Sequence, residues 1–280
     1  MTTKPVSATT ADALVDLFAR RKPVIGVVHA RALPGSAAYD GEPVESVFAA
    51  AVEDAQRYRD AGLDGLIVEN HGDIPFVKPG DIGHETVATM SVMSDRVRHA
   101  TGLPVGINVL ANAAQAALAT AKAGGAVFIR VNEWANAYVA NEGFIEGPAG
   151  IATRYRSWLH ARDVRIFADV HVKHGAHAIV ADRSIPELVR DAEFFDADVL
   201  IATGQRTGDA ATPEEIGAIK ASASLPIVVG SGVDEGNVED ILAVADGLII
   251  ASSLKRDGVW WNEVDPTRAA SFMKVVDSVR

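Results

Sequence analysis

Apolar residues along this chain fall into two repeating patterns. Short runs rich in Val and Ile alternate with longer stretches in which apolar positions recur every three or four residues. Eight runs stand out: Val24–His29, Gly65–Asn70, Val105–Leu110, Val127–Asn132, Arg165–Val172, Val199–Thr203, Pro226–Ser231 and Gly247–Ala251. Their near-continuous hydrophobicity, without clean alternation, suits strands covered on both faces by helices. Between the first two runs, Phe48, Ala51, Val52, Ala55 and Tyr58 form one stripe of a helix predicted over Val47–Ala61. Asp60-Ala-Gly-Leu-Asp64, Ala100-Thr-Gly-Leu-Pro104 and Lys122-Ala-Gly-Gly-Ala126 each put Gly where a helix ends just before a strand.

Strands and helices alternating this regularly imply βαβ units and a parallel sheet. Eight such units close most simply into an α/β fold of the (β/α)8 TIM-barrel type. An open doubly wound sheet is the alternative, but no Gly-x-Gly-x-x-Gly follows the first strand to support it. Ala11–Arg21 reads as a short amphipathic helix with Leu14, Phe18 and Val15 on one side. The division expected is therefore a lead-in helix over residues 1–22 and a barrel over 23–280, with no linker. Three connections are longer than a turn needs: 30–44, 71–83 and 133–150, the last carrying Asn136, Tyr138, Glu142 and Glu146 as a candidate flap. All follow strand C-termini, where barrel enzymes place their working loops.

Composition narrows the partners. With 280 residues and 48% hydrophobic content, the chain can bury one large core. A net charge of −11 disfavours nucleic acid and anionic membrane surfaces, which want Lys/Arg patches. Cys is absent, so disulfides and thiolate chemistry are excluded and a metal must be held by His, Asp, Glu or Asn. No uncharged apolar run approaches the ~18 residues of a membrane span, and Met1–Thr10 lacks the apolar core of a secretory signal. The cytoplasm is the expected compartment. Trp260-Trp261 could form an exposed patch, pack under the barrel or join an oligomer interface, and a homo-oligomer is expected.

Polar side chains gather at the predicted strand ends. Strand one ends in His29, strand two in Glu69-Asn70, strand three passes through Asn108, and strand four ends in Arg130-Val-Asn132. Strand five ends in Asp169-Val-His171-Val-Lys173, and strand six in Thr203-Gly-Gln205. Together they describe a polar ring at one mouth, where such groups are costly unless paired or used. A period of two would put Asp169, His171 and Lys173 on one side of an extended chain. That arrangement suits an acid/base pair beside an amine, two ligands of a divalent ion, or a plain structural ion pair. Glu69, Asn70 and Asp73 suit a hard cation or ligand hydroxyls, with Mg²⁺ between Glu69 and Asp169 one reading; alternatively Asp73 caps a turn and Glu69 pairs with Arg130 or Lys173. Arg130 inside a strand must meet a carboxylate or a ligand anion. His71, His84, His99, His160 and His177 read as surface or loop residues, and neither His-x-His after strand one nor His-Glu-x-x-His is present.

The last two strands carry the signal for an anion. Pro226-Ile-Val-Val-Gly-Ser-Gly232 and Ala245-Asp-Gly-Leu-Ile-Ile-Ala-Ser-Ser253 end in small residues at the loops where barrels often bind phosphate. Gly230, Ser231, Gly232, Ser252 and Ser253 would let backbone N–H groups approach a small phosphorylated ligand, with Lys255 as counter-charge. Gly and Ser also serve simply as turn formers.

Taken in order, these segments resemble the BtpA/SgcQ family. The resemblance rests on His29-Ala-Arg-Ala-Leu-Pro-Gly35, Val68-Glu-Asn70 with Asp73-Ile-Pro-Phe76, Gly106-Ile-Asn-Val-Leu110, Phe128-Ile-Arg-Val-Asn132 and Gly143-Phe-Ile-Glu-Gly147. It continues through Phe167-Ala-Asp-Val-His-Val-Lys-His174, Thr203-Gly-Gln-Arg-Thr-Gly208, Gly230-Ser-Gly-Val233, Ala245-Asp-Gly247 and Ser252-Ser-Leu-Lys-Arg-Asp-Gly258. The tail from Val264 to Met273 is similar to the family's closing helix. What the resemblance implies is a TIM barrel of the phosphate-binding kind. One branch of the family is linked to photosystem I assembly and another to sugar-phosphate genes. The chain departs from the pattern at Ala111-Asn112-Ala113, where Arg-Asn-Asp is expected, so a charge pair is missing from the mouth.

Two readings follow, with a third beside them. The first is an isomerase, epimerase or lyase of a small phosphorylated sugar, with Asp169 and His171 moving protons, Glu69 as second carboxylate, Lys173 and Arg130 stabilising negative charge, and His29, Asn70, Asn108, Asn132 and Thr203 lining the ligand. The second is an assembly or regulatory protein working through its surface. The third is a metal-dependent hydrolase.

Overall fold

A computed structural model describes residues 12–204 and 213–280, without the side chains of 213–215. The Gln205-Arg-Thr-Gly208 part of the Thr203-Gly-Gln-Arg-Thr-Gly208 segment lies outside the described residues. Eight parallel strands, β1 (Val24–His29), β2 (Gly65–Glu69), β3 (Val105–Asn108), β4 (Phe128–Val131), β7 (Arg165–Asp169), β8 (Val199–Ala202), β9 (Ile227–Val229) and β10 (Gly247–Ile250), form a closed barrel in the order β1-β10-β9-β8-β7-β4-β3-β2. Each of the eight apolar runs contains one of them. The candidate flap folds as an antiparallel hairpin, β5 (Ala137–Ala140) and β6 (Gly143–Glu146). Nine helices are described: α1 (Ala13–Phe18), α2 (Val44–Asp60), α3 (His84–Thr101), α4 (Ala114–Gly124), α5 (Ala149–Trp158), α6 (Ile185–Phe194), α7 (Pro213–Ser222), α8 (Val238–Val244) and α9 (Pro266–Val279).

Residue parity explains how uniformly apolar strands serve two cores. In β1, Val24 and Val28 pack outward with the helices, while Ile25 and Val27 join the barrel interior. Leu66 and Val68 against Ile67 in β2, and Ile166 and Ala168 against Phe167 in β7, divide the same way. Successive side chains of a strand point to opposite faces, so inward residues stack in layers. The top of that stack, nearest the strand C-termini, is polar: His29, Glu69, Asn108, Arg130 and Asp169 continue the inward parity of the apolar residues below them.

The bottom of the stack is closed by α1. Leu14 and Phe18 belong to the interior cluster, Phe18 meets Phe128 edge-on at 5.9 Å between ring centroids, and Phe128 stacks on Phe167 at 4.4 Å. Val15, expected on the same side, is instead exposed. At Gly106 in β3, an added Cβ would lie 2.2 Å from the Phe128 ring, which Phe167 prevents from moving aside. Gly106→Ala is therefore expected to lose about 1–3 kcal/mol through overpacking. A urea midpoint unchanged from the parent would contradict this account of the interior.

The helix-stopping glycines act as the sequence suggests. The amide of Gly102, at φ +69°, donates to the Arg98 carbonyl at the end of α3, and Gly125 does the same to Ala121 after α4. Lys255 has a different place from the one expected. Its ammonium is buried against Asp54 of α2 at 2.7 Å, and the other Asp54 oxygen accepts the Val264 amide at 2.8 Å. It fastens the chain beyond β10 to the outer helices and does not serve as counter-charge at the mouth.

Candidate functional site

The polar layer opens into a cavity of about 530 Å³ at the C-terminal end of the strands. Glu69, Arg130, Lys173, His29, Asn108 and Asn132 all line it, as do Gly230, Ser231, Gly232, Ser252 and Ser253. Asp169, His171, Asn70 and Thr203 do not. The period-two expectation for Asp169, His171 and Lys173 fails because β7 ends at Asp169 and the backbone bends at Val170 and His171. Lys173 reaches the cavity, whereas the His171 ring packs on His177 at 3.9 Å between centroids. Asp169 lies within the barrel and is held by Arg130 through two hydrogen bonds, 3.1 Å from Nε and 2.9 Å from Nη2. With both oxygens occupied in this way, a shared ion between Asp169 and Glu69 has no support in the geometry.

Asn70 and Thr203 tie loops together. Asn70 exchanges hydrogen bonds with the Leu110 amide and carbonyl and donates to Asp73, while Asp73 accepts the Leu33 amide at 2.7 Å. These contacts hold the long loops after β1, β2 and β3 in one arrangement. Thr203 Oγ1 donates to the His171 carbonyl at 3.2 Å.

Around Glu69 the structure brings the expected His29 and Asn108 together with two residues the sequence did not mark for the site, His71 and Trp260. Its Oε1 is 2.8 Å from His71 Nδ1 and 3.7 Å from His29 Nε2, and its Oε2 accepts from Asn108 Nδ2 at 2.6 Å. The His29 and His71 rings stack at 4.5 Å between centroids. His71 also meets Trp260 at 4.3 Å, and the Trp260 carbonyl lies 2.9 Å from His29 Nδ1. So His71 is a cavity residue rather than a surface one, and Trp260 forms part of the mouth, while Trp261 projects outward. The same alternation that drew attention to Asp169 and His171 was present in Glu69 and His71. Nothing local in the sequence could place Trp260, 231 positions away, beside His29.

Burial and close charged partners compete in the electrostatics, and the outcome differs from group to group. Burial holds His29 near a pKa of about 3, despite the Glu69 charge beside it, so this imidazole is neutral at pH 7. Burial alone would raise the Glu69 carboxyl. The hydrogen bond and charge of His71, with His29 and Arg130 behind them, outweigh it and keep Glu69 ionised well below the usual carboxylate range. Glu133, buried just beyond β4, has a pKa pushed up to about 8 by burial and by the Asp169 charge. The side-chain oxygens of Asn108 and Asn132 are buried without a partner among the described residues, an uncommon condition that a bound ligand would relieve.

The other arc of the mouth presents backbone amides and a lysine. Among the described residues the backbone N–H groups of Gly232, Ser252 and Ser253 donate to no protein acceptor. Gly232 adopts φ +67°, and Asn237 holds its carbonyl at 2.8 Å, fixing the turn. Lys173 Nζ lies 3.1 Å from Ser231 Oγ, which brings a cation to this loop. The hairpin supplies a wall through Tyr138, Asn141 and Glu142, and Ala111 makes an apolar wall at the position where the sequence departs from the family pattern.

A family model described as the BtpA family matches residues 20–278. The photosystem I biogenesis protein BtpA of Synechocystis is 39% identical over 264 residues, covering 94% of this chain and 91% of that protein. An uncharacterised mitochondrial protein of Caenorhabditis elegans is 38% identical over 269 residues, covering 94% and 96%. Among solved structures, orotidine 5′-monophosphate decarboxylase from Methanocaldococcus jannaschii superposes with a TM-score of 0.58 at 14% identity, covering 92% of this chain and all of that one. Thiamine phosphate pyrophosphorylase from Pyrococcus furiosus gives 0.56 at 16%, covering 92% and 96%. At such identities the likeness concerns the barrel itself. Among the described residues no helix is long and apolar enough to cross a membrane.

Proposed function

The chain belongs to the BtpA family, and on that premise we propose that it is an enzyme acting on a small phosphorylated, sugar-like substrate by acid/base chemistry, as an isomerase, epimerase or lyase. One observation carries the reading: a single cavity joins unsatisfied loop amides and Lys173 on one arc to Glu69, His71, Asn108 and Arg130 on the other. Phosphate binds the amides of Gly232, Ser252 and Ser253 with Lys173 as counter-charge. The substrate's other end lies over Glu69 and His71, which exchange a proton with it, and Arg130 stabilises the negative charge that develops. The proton-transfer role first given to Asp169 and His171 passes to Glu69 and His71, because these line the cavity. The two solved barrels described above are named for phosphate-bearing compounds, which is consistent with this ligand class. We place the activity in the cytoplasm.

The test is a thermal-shift panel of phosphorylated sugars, run with and without divalent ions. A true ligand at about 100 times its Kd adds ~2.7 kcal/mol of stability. Lys173→Met is expected to weaken that ligand roughly tenfold, about the 1.4 kcal/mol worth of one charge-assisted contact. A panel in which no member stabilises the protein would count decisively against the reading. The second reading, an assembly factor, is favoured by the name of the Synechocystis relative and by the exposure of Trp158 and Phe194. It predicts that Lys173→Met changes no binding event at all.

A further inference from the structure

Around Glu69, the cavity holds more electron-pair donors than hydrogens to share among them. The carbonyl of Trp260 can only accept, so His29 carries its proton on Nδ1, 2.9 Å away. The Nε2 lone pair then faces Glu69 Oε1 across 3.7 Å, with no hydrogen between two atoms that both donate electrons. His71 Nδ1 approaches the same oxygen at 2.8 Å, and donor atoms of all three residues lie within 4.8 Å of one another.

We propose that His29, Glu69 and His71 form a binding site for one divalent transition-metal ion of the zinc, iron or manganese class, with its remaining coordination positions open to the cavity. An ion about 2.0–2.2 Å from each donor draws together side chains that already converge. Two imidazoles and one carboxylate suit these metals, whereas Mg²⁺ prefers an all-oxygen shell. The supporting contacts are those such sites use. The Trp260 carbonyl fixes the His29 tautomer, and Asn108 Nδ2 holds the second Glu69 oxygen at 2.6 Å. Coordination through His71 Nδ1 leaves that ring's proton on Nε2. The unpartnered Asn108 oxygen stands beside the site, ready to accept from a metal-bound water or a substrate hydroxyl. With no Cys in the chain, no thiolate competes for the ion.

This inference does not rest on the phosphorylated substrate, because it is tested without one. If both hold, a metal-bound water takes over the proton exchange assigned above to Glu69 and His71. Full-length protein stripped with a chelator is titrated with Co²⁺, followed by its visible absorption, and with Zn²⁺ by calorimetry. The expected result is one equivalent of either ion, not displaced by a large excess of Mg²⁺. His71→Ala should weaken binding more than about 100-fold, beyond the 10–100-fold cost of losing a mere supporting partner. His171→Ala and His99→Ala should leave it unchanged. Glu69→Gln keeps the side-chain shape and must show a loss too, which guards against a folding defect in the alanine variant. The proposal falls if the parent takes up no Co²⁺, if His71→Ala binds as the parent does, or if binding follows His171 instead.

Discussion

Replacing Asp169 by Asn is expected to cost about 3–5 kcal/mol of folding stability, the toll of leaving a buried charge without its partner. Arg130 is enclosed in the barrel and donates from Nε and Nη2 to the two Asp169 oxygens. Asn offers one acceptor where two are needed and turns an amide N–H toward a guanidinium N–H. In a chain of this length such a loss should lower the thermal midpoint by several degrees or more. Replacing both members by apolar residues, Arg130→Met with Asp169→Leu, should recover much of the loss, since buried pairs often exchange for hydrophobic ones at little cost. Equal midpoints for Asp169→Asn and the parent in urea would show that the pair carries no structural weight. For this reason Asp169→Asn cannot by itself tell an enzyme from a scaffold: lost function would be confounded with lost stability. Variants at Lys173 and His71, on loops beyond the strand ends, separate the two more cleanly.

The second large effect is a dependence on pH. Glu133 titrates near pH 8 in the folded protein against 4.5 when unfolded, so between these values the native state binds more protons. Stability must therefore fall as pH rises from about 4.5 to about 8, by ~3–5 kcal/mol in all. His29 acts in the opposite sense. Its pKa is lowered from 6.5 to about 3, so its contribution rises with pH and is complete above 6.5. The two largely offset each other from pH 4.5 to 6.5, and the Glu133 loss emerges from 6.5 to 8. Glu133→Gln isolates it: the variant should match the parent near pH 4.5 and exceed it by ~3–5 kcal/mol above pH 8. Chemical denaturation at both ends of that range checks this. A parent-minus-variant difference that stays flat across the range would mean that Glu133 is ionised within the fold.

How far the sequence could be read follows from the distances involved. Strand positions depend on local runs of Val and Ile, and all eight were legible to within a few residues. Their polar ends were legible too, since Glu69, Asn108 and Arg130 simply continue the inward alternation of each strand. Reading failed where the backbone left that alternation. The run Arg165–Val172 stays apolar past Asp169, so nothing in it announced the bend that turns His171 away toward His177. The hairpin was foreseen only as a flap, although Ala137-Tyr-Val-Ala140 and Gly143-Phe-Ile-Glu146 flank a two-residue Asn-Glu turn. His71 and Trp260 needed the closed barrel before their proximity to His29 had any meaning.

Phe18 and its helix stopper the far end of the barrel, and this has a kinetic consequence. Among the described residues, whatever reaches the interior comes and goes by one doorway, framed by Trp260 and the hairpin. Entry and exit then queue at the same threshold, so a ligand still leaving delays the next arrival. Bulky analogues should be slow in both directions.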